Sequence, residues 1–278
     1  MAAADAEVDA DADGATESVD RMTVTVRAEV LQQVVDQLLT VVDEAIFRIG
    51  YEGLSVAAVD PANVAMVDLE VEPGAFESVG DGMFPIGLNL QKLNDYVDGA
   101  SGADPVTLTY LPEMRSVRIE HTNVEVEMAG SDPDAIRKEP DIPDLNHNVD
   151  LTVDAAVFRD AVENADLVSD HVELEADVDS GELHVRGSGD IDEIETVLGP
   201  DELTDANFEA GSRALYSLVY LIGGSTGGSK YQGILKPLGS GTDLRVTFND
   251  EMPTKVSYEF ADGFGNVMMM LAPRVESN

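Results

Sequence analysis

Apolar and polar residues alternate through short stretches of this chain, and the period switches from two to about three and a half at recurring places. Residues 23–27, TVTVR, alternate as a strand does. Residues 28–40 then put Val30, Leu31, Val34, Val35 and Leu38 on one helical face. IFRIG, LSVAAV and MVDLEV follow as short strands separated by turn residues. The plan then repeats. FPIGLNL precedes a helix with Leu90, Leu93 and Val97 on one side, and VTLTYL, VRIEH and VEVEMA read as strands. Residues 131–148, SDPDAIRKEPDIPDLNHN, break the pattern, because three prolines and five acidic side chains do not fit a sheet interior. An extended connector is expected there. Beyond it, LTV leads into a helix at 154–167, followed by HVELEAD, ELHVRGSG and IDEIETVL. The last quarter holds ALYSLVYLI, a glycine-rich interruption at 223–233, and the strands DLRVTF, KVSYEF and VMMMLAP. Glycines cost about 1 kcal/mol each in a helix interior, so the interruption predicts an inserted loop.

The pattern also contains an echo. Residues 25–49 return at 152–176 with constant spacing: Val26 falls on Val153, Ala28 on Ala155, Leu31 on Phe158, Val35 on Val162 and Asp43 on Asp170. A repeat of this size indicates a duplicated unit. The predicted organisation is an acidic tail at 1–21, a first domain at 22–130, a connector at 131–148 and a second domain at 149–278. The fold class is α+β, with each domain built from two strand–helix–strands units. The tail contains DADADG at 9–14 with Asp20 beyond it, the spacing of a calcium loop. It lacks the flanking helices and the final bidentate Glu, so a solvated acidic segment is expected.

Charge narrows the partners. The 278 residues carry 55 Asp plus Glu against 16 Lys plus Arg, a net charge of −39, while 44% of residues are hydrophobic. Such a surface repels anions at ordinary ionic strength. At molar salt the Debye length is about 3 Å and self-repulsion is screened, so the composition predicts a salt-adapted protein. The absence of cysteine excludes disulfides and thiolate sites. No apolar run approaches the length of a membrane span, and no secretory leader pattern opens the chain. A soluble cytoplasmic protein is expected. His121, His147, His171 and His184 show no acid–base spacing, so neither an enzyme, a metal site nor a cofactor is expected.

Three stretches carry a family resemblance: AVDPANVAMVDLEV at 58–71, EPDIPDL at 139–145 and MLAPRV at 270–275. In this order, on a duplicated frame with a proline-bearing connector, the chain resembles the DNA sliding clamp, or proliferating cell nuclear antigen, of halophilic archaea. The resemblance implies a homotrimeric ring that encircles duplex DNA without reading its sequence. Its helices would line the hole and its antiparallel sheets would form the outer wall. As a processivity factor it would tether polymerase, flap endonuclease and ligase, and would meet a clamp loader, all through short peptide motifs.

Residue by residue, the resemblance implies a client-peptide pocket from Val59, Val64, Met66, Ile136, Pro253, Met270, Ala272, Pro273 and Val275. It implies subunit edges at 123–128 and 190–198, with Val124, Val126 and Met128 opposite Ile191 and Ile194. Channel cations would be Lys92, Arg159, Lys230 and Lys236. Here the chain departs from the family, whose channel helices are usually richer in Lys and Arg; the helix at 28–40 has none. That departure keeps a second reading open: a divergent clamp-like scaffold that binds client peptides without being the main replicative clamp.

Overall fold

The structure, a computed structural model, describes residues 21–226 and 229–274. The DADADG segment and Val275 lie outside the described residues. The first half runs β1 (Thr23–Arg27), α1 (Ala28–Leu38), β2 (Glu44–Gly50), β3 (Gly53–Val59), β4 (Ala65–Val71) and β5 (Phe76–Val79). It continues with β6 (Met83–Asn89), α2 (Leu90–Val97), β7 (Pro105–Leu111), β8 (Ser116–His121) and β9 (Val124–Ala129). The second half runs β10 (Val149–Asp154), α3 (Ala155–Asp166), β11 (His171–Asp177), β12 (Glu182–Ser188), β13 (Glu193–Leu198), β14 (Leu203–Phe208), β15 (Ser212–Ser217) and α4 (Leu218–Leu221). A small hairpin, β16 (Gly224–Thr226) and β17 (Ser229–Tyr231), precedes β18 (Asp243–Phe248), β19 (Thr254–Phe260) and β20 (Gly265–Leu271).

The echo is structural: shifted by the same spacing, β1–α1–β2 becomes β10–α3–β11. The copies cap their helices differently. Asp154 accepts from the N–H groups of Ala156 and Val157 at the start of α3. Arg27 makes no side-chain cap on α1. There the carbonyls of Asp104 and Gly102 receive the N–H groups of Ala28 and Glu29, which supplies from a loop what a cap supplies from a side chain.

Strands β14-β10-β18-β19-β20-β4-β3-β2-β6 form one antiparallel sheet across both halves. Its seam is β20 against β4, from Gly265↔Val71 to Leu271↔Ala65. Two further sheets, β5-β1-β7-β8-β9 and β13-β12-β11-β15, leave β9 and β13 as edges. One face of the large sheet is core, with Val56, Leu69, Val67, Val267, Met269, Val256 and Val246 buried. Gln32 donates to the carbonyls of Val97 and Ala100, tying α1 to the end of α2.

Four strands escaped the sequence reading: β16 and β17, in the stretch expected to be a loop, and β5 and β14. FESV (β5) and LTDANF (β14) are edge strands without buried–exposed alternation. Helix α1 ends at Leu38 instead of residue 40. The described residues of the glycine-rich interruption form a graft on α4. Ile222 bonds back to Leu218 within α4, and after the excursion Ile234 and Leu235 donate to Tyr220 and Leu221. The chain leaves the helix at Gly223 (φ 95°) and rejoins at Gly233 (φ 90°). A Cβ on Gly233 would overlap Ile222 and the backbone N of Gly223, so the neck admits only glycine there.

Candidate peptide and nucleic-acid interfaces

Antiparallel register places directly opposite residues on one face. Val59 faces Met66, Met66 faces Met270, and Met270 faces Lys255. These four side chains therefore form a row across β3, β4, β20 and β19 on the face opposite the core. The next row follows from the strand ends. The Ala272 N–H bonds the Val64 carbonyl at 2.8 Å, and Pro253, one step beyond the Thr254↔Leu271 pair, lies opposite Ala272. The family-implied set Val59, Val64, Met66, Met270, Ala272 and Pro253 is thus brought together on two adjacent rows. Pro273 is half-buried just beyond, and the Arg274 N–H bonds Leu215 at 2.7 Å. Val59 and Met270 are buried, whereas Met66 and Val64 are half-buried.

The connector crosses this same face. Ser131 bonds Gly87 on β6, Arg48 on β2 pairs with Glu139 at 2.5 Å, and Arg137 donates to the Asp60 carbonyl at 2.8 Å. Lys255 then reaches the Pro143 carbonyl, and the His147 ring bonds the Thr247 hydroxyl. Burial, with Lys255 nearby, lowers the His147 pKa below its ordinary value. Ile136 is buried against Gly87 and lines a cavity with Val59, at the other end of the row from Lys255. The connector residue held beside the Met270 row is Pro143. The sequence reading passed over Pro143 and Lys255, although the alternation of KVSYEF places Lys255 outward.

Asp60 organises the turn after Val59. It is fully buried, and its carboxylate accepts from the N–H groups of Ala62, Val64 and Ala65 and from the hydroxyls of Tyr220 and Tyr231. The two tyrosines touch at 3.3 Å between hydroxyls. Burial, then Tyr231 and Asp60, raises the Tyr220 pKa, keeping it a neutral donor. The carboxylate belongs to the first half and both tyrosines to the second. Beside this junction lies a groove of about 530 Å³. Val59, Pro61, Ile136 and Arg137 line it with the α1–β2 loop, and Lys230 and Tyr231 of the hairpin close one side.

The edges differ from expectation in detail. Val124 is exposed and Val126 packs partly on the core, but Met128 is 2% exposed among Met22, Phe47 and Ile119. Met128 is a core residue, because β9 tapers from solvent at one end to the core at the other. Ile191 is 95% exposed in the turn before β13 and not in the strand, while Ile194 is half-buried within it. Both edges carry acids tied to their own sheets: Glu125 to Arg118, and Glu195 to Arg186 and His184.

The helices expose mainly acids, with Asp36, Asp95, Asp160, Glu163 and Asp166 outward. Lys92 is exposed on α2. Arg159 on α3 is tied to the Leu238 carbonyl at 2.7 Å, so its guanidinium is partly occupied. Lys236 is exposed just after the chain returns to α4, and Lys230 stands on the hairpin by the groove. Among the described residues no cluster of metal ligands forms, and no helix is long and apolar enough to cross a membrane.

Residues 23–127 match the family described as proliferating cell nuclear antigen, N-terminal domain. A DNA polymerase sliding clamp of Natronomonas pharaonis is 37% identical over 253 residues, covering 91% of this chain and 98% of that protein. The clamp of Halobacterium salinarum strain R1 is 36% identical with the same coverage. Among solved structures, A. fulgidus PCNA bound to the C-terminal region of FEN-1 superimposes with a TM-score of 0.82 and 31% identity, covering 92% of this chain and 100% of that one. PCNA from Thermococcus kodakaraensis, at 23% identity and a TM-score of 0.80, shares the fold. With its duplicated strand–helix–strand frame and its continuous nine-stranded sheet, the chain belongs to the proliferating cell nuclear antigen family of DNA polymerase sliding clamps.

Proposed function

We propose that three copies of this chain close head to tail into a ring around duplex DNA and tether replication and repair enzymes to it. Each protomer would comprise domains at 22–130 and 149–278 joined by the connector at 131–148. The observation that carries the reading is the pair of open strand edges, β9 in one half and β13 in the other. Unpaired edges invite strand addition, and a contact between unlike edges generates a ring when the rotation closes. Acidic side chains on both edges oppose closure in dilute buffer and permit it once salt screens them. The rows containing Val59, Met66, Met270, Ala272 and Pro253 would receive the apolar anchors of client peptides. The protein would act by topology and effective concentration, with no chemistry of its own.

The acidic helix faces favour a second reading, the scaffold that binds clients without holding DNA. One experiment separates the two. Absolute mass is measured in multimolar KCl and in dilute buffer, and the high-salt species is loaded on nicked circular duplex by a clamp loader. The ring reading expects threefold mass in high salt, falling on dilution, and protein that stays on circles until they are linearised. A monomer at every salt, or release that ignores linearisation, would sink it.

A further inference from the structure

We infer that the hairpin grafted into α4 is a specificity element of the client groove, with Lys230 selecting peptides that carry an acidic side chain beside their apolar anchors. The inference rests on the client-pocket reading above and adds a determinant to it. The hairpin is placed by construction. Its neck is fixed by Gly223 and Gly233, and Tyr231, adjacent to Lys230, is buried against Tyr220 and the Asp60 carboxylate. Lys230 pairs with Ser225 across the hairpin and is exposed on the groove wall.

The groove continues from the proposed pocket, because Val59 belongs to both. Its two cations meet at one turn: Arg137 holds the Asp60 carbonyl and Tyr231, next to Lys230, holds the Asp60 carboxylate. Asp43 and Glu44 of the α1–β2 loop also line the groove. In a chain of net charge −39, two cations against two acids make the lining of this groove balanced where most of the surface is acidic. Among the described residues neither forms an ion pair: Arg137 holds only the Asp60 carbonyl, and Lys230 has no carboxylate partner. An extended peptide leaving the pocket along this groove meets the apolar side chains of Ala57, Val59 and Ile136 and the two cations. An aspartate or glutamate in that stretch complements Lys230 and Arg137.

The test uses two synthetic peptides with the same aromatic and apolar anchors, one with a flanking Glu and one with Gln in its place. Binding to the full-length protein is read by fluorescence anisotropy at about 0.15 M and again at molar KCl, where the Debye length falls from about 8 Å to 3 Å. An exposed pair predicts roughly threefold tighter binding of the Glu peptide at the lower salt, shrinking at the higher. Lys230→Ala, a surface change, abolishes the preference and leaves the Gln peptide unaffected. Excision of 223–233, joining Ile222 to Ile234, removes the preference by a second route. Equal binding of both peptides, or a preference that survives Lys230→Ala, overturns this inference alone. Binding of neither peptide to the unmodified protein removes the client-pocket reading, and the inference with it.

Discussion

Helices α2 and α4 follow β6 and β15 in the second unit of their respective halves, and they solve the same problem in opposite ways. α2 is uninterrupted over eight residues, with Asn89 capping Lys92 at 2.9 Å and Leu93 and Val97 buried beneath. α4 stops after four residues, has no side-chain cap, and releases a hairpin before the chain returns. The return is what makes the insertion tolerable: Ile234 and Leu235 occupy the donor positions that the departing residues vacated, and both are buried. An insertion costs little when it begins and ends at the same backbone hydrogen bonds, because loop closure grows only slowly with length. The hairpin also gains a partner that α2 lacks, the Asp60 carboxylate of the other half.

That comparison can be broken in order of expected effect. Asp60→Ala would strand the hydroxyls of Tyr220 and Tyr231 and three backbone N–H groups. It should lower stability by about 3 kcal/mol or more in denaturant titrations at constant KCl. Gly233→Val should cost more than about 2 kcal/mol, since the neck has no room and φ is positive. Its control, Gly99→Ala just beyond α2, meets nothing within 4 Å and should stay within about 0.5 kcal/mol. Equal losses at both positions would show that the hairpin neck is not the constraint described.

Capping sharpens the contrast further. Asn89→Ala should cost α2 about 1 kcal/mol, whereas Ser217→Ala at the start of α4 should be nearly neutral, because that side chain makes no cap. The smallest effect is one of pH. The Gly241 N–H, joined by those of Val157 and Ala156, holds the Asp154 carboxyl below its usual value. A depressed carboxylate contributes stability that is complete above the ordinary carboxylate range and is lost as pH falls through the folded-state value. Asp154→Asn should therefore flatten the acid limb of the stability curve measured at fixed salt. The equivalent position in the first copy, Arg27, can show no such limb; an unchanged profile in the Asp154 variant would end the cap account.

Much of the site was legible as residue types and little of it as geometry. Val59, Val64 and Met66 were picked out by the family resemblance of AVDPANVAM, and the register puts the side chains of Val59 and Met66 on one face with Met270. Ile136 came only from the family resemblance; it lines a cavity with Val59, while Pro143 meets Lys255 at the other end of the row. Met128 was an edge contact by family resemblance, but its place on β9 turns it to the core, because a strand's alternate residues can face either side. Asp60 carried no signal beyond its turn, since its tyrosine donors come from the other half of the chain.

The sequence by itself determined most of the elements and their duplication. Hydrophobic period is a local property, so β1–α1–β2 and β10–α3–β11 could be read from spacing alone, and net charge needs no coordinates. The tertiary structure alone decided which strands meet. The seam of β4 with β20 joins residues about two hundred positions apart. The buried triad at Asp60 and the groove that Lys230 lines exist only because that seam brings the two halves together. Cross-strand partners are chosen by burial of a whole face at once, which no window of sequence contains.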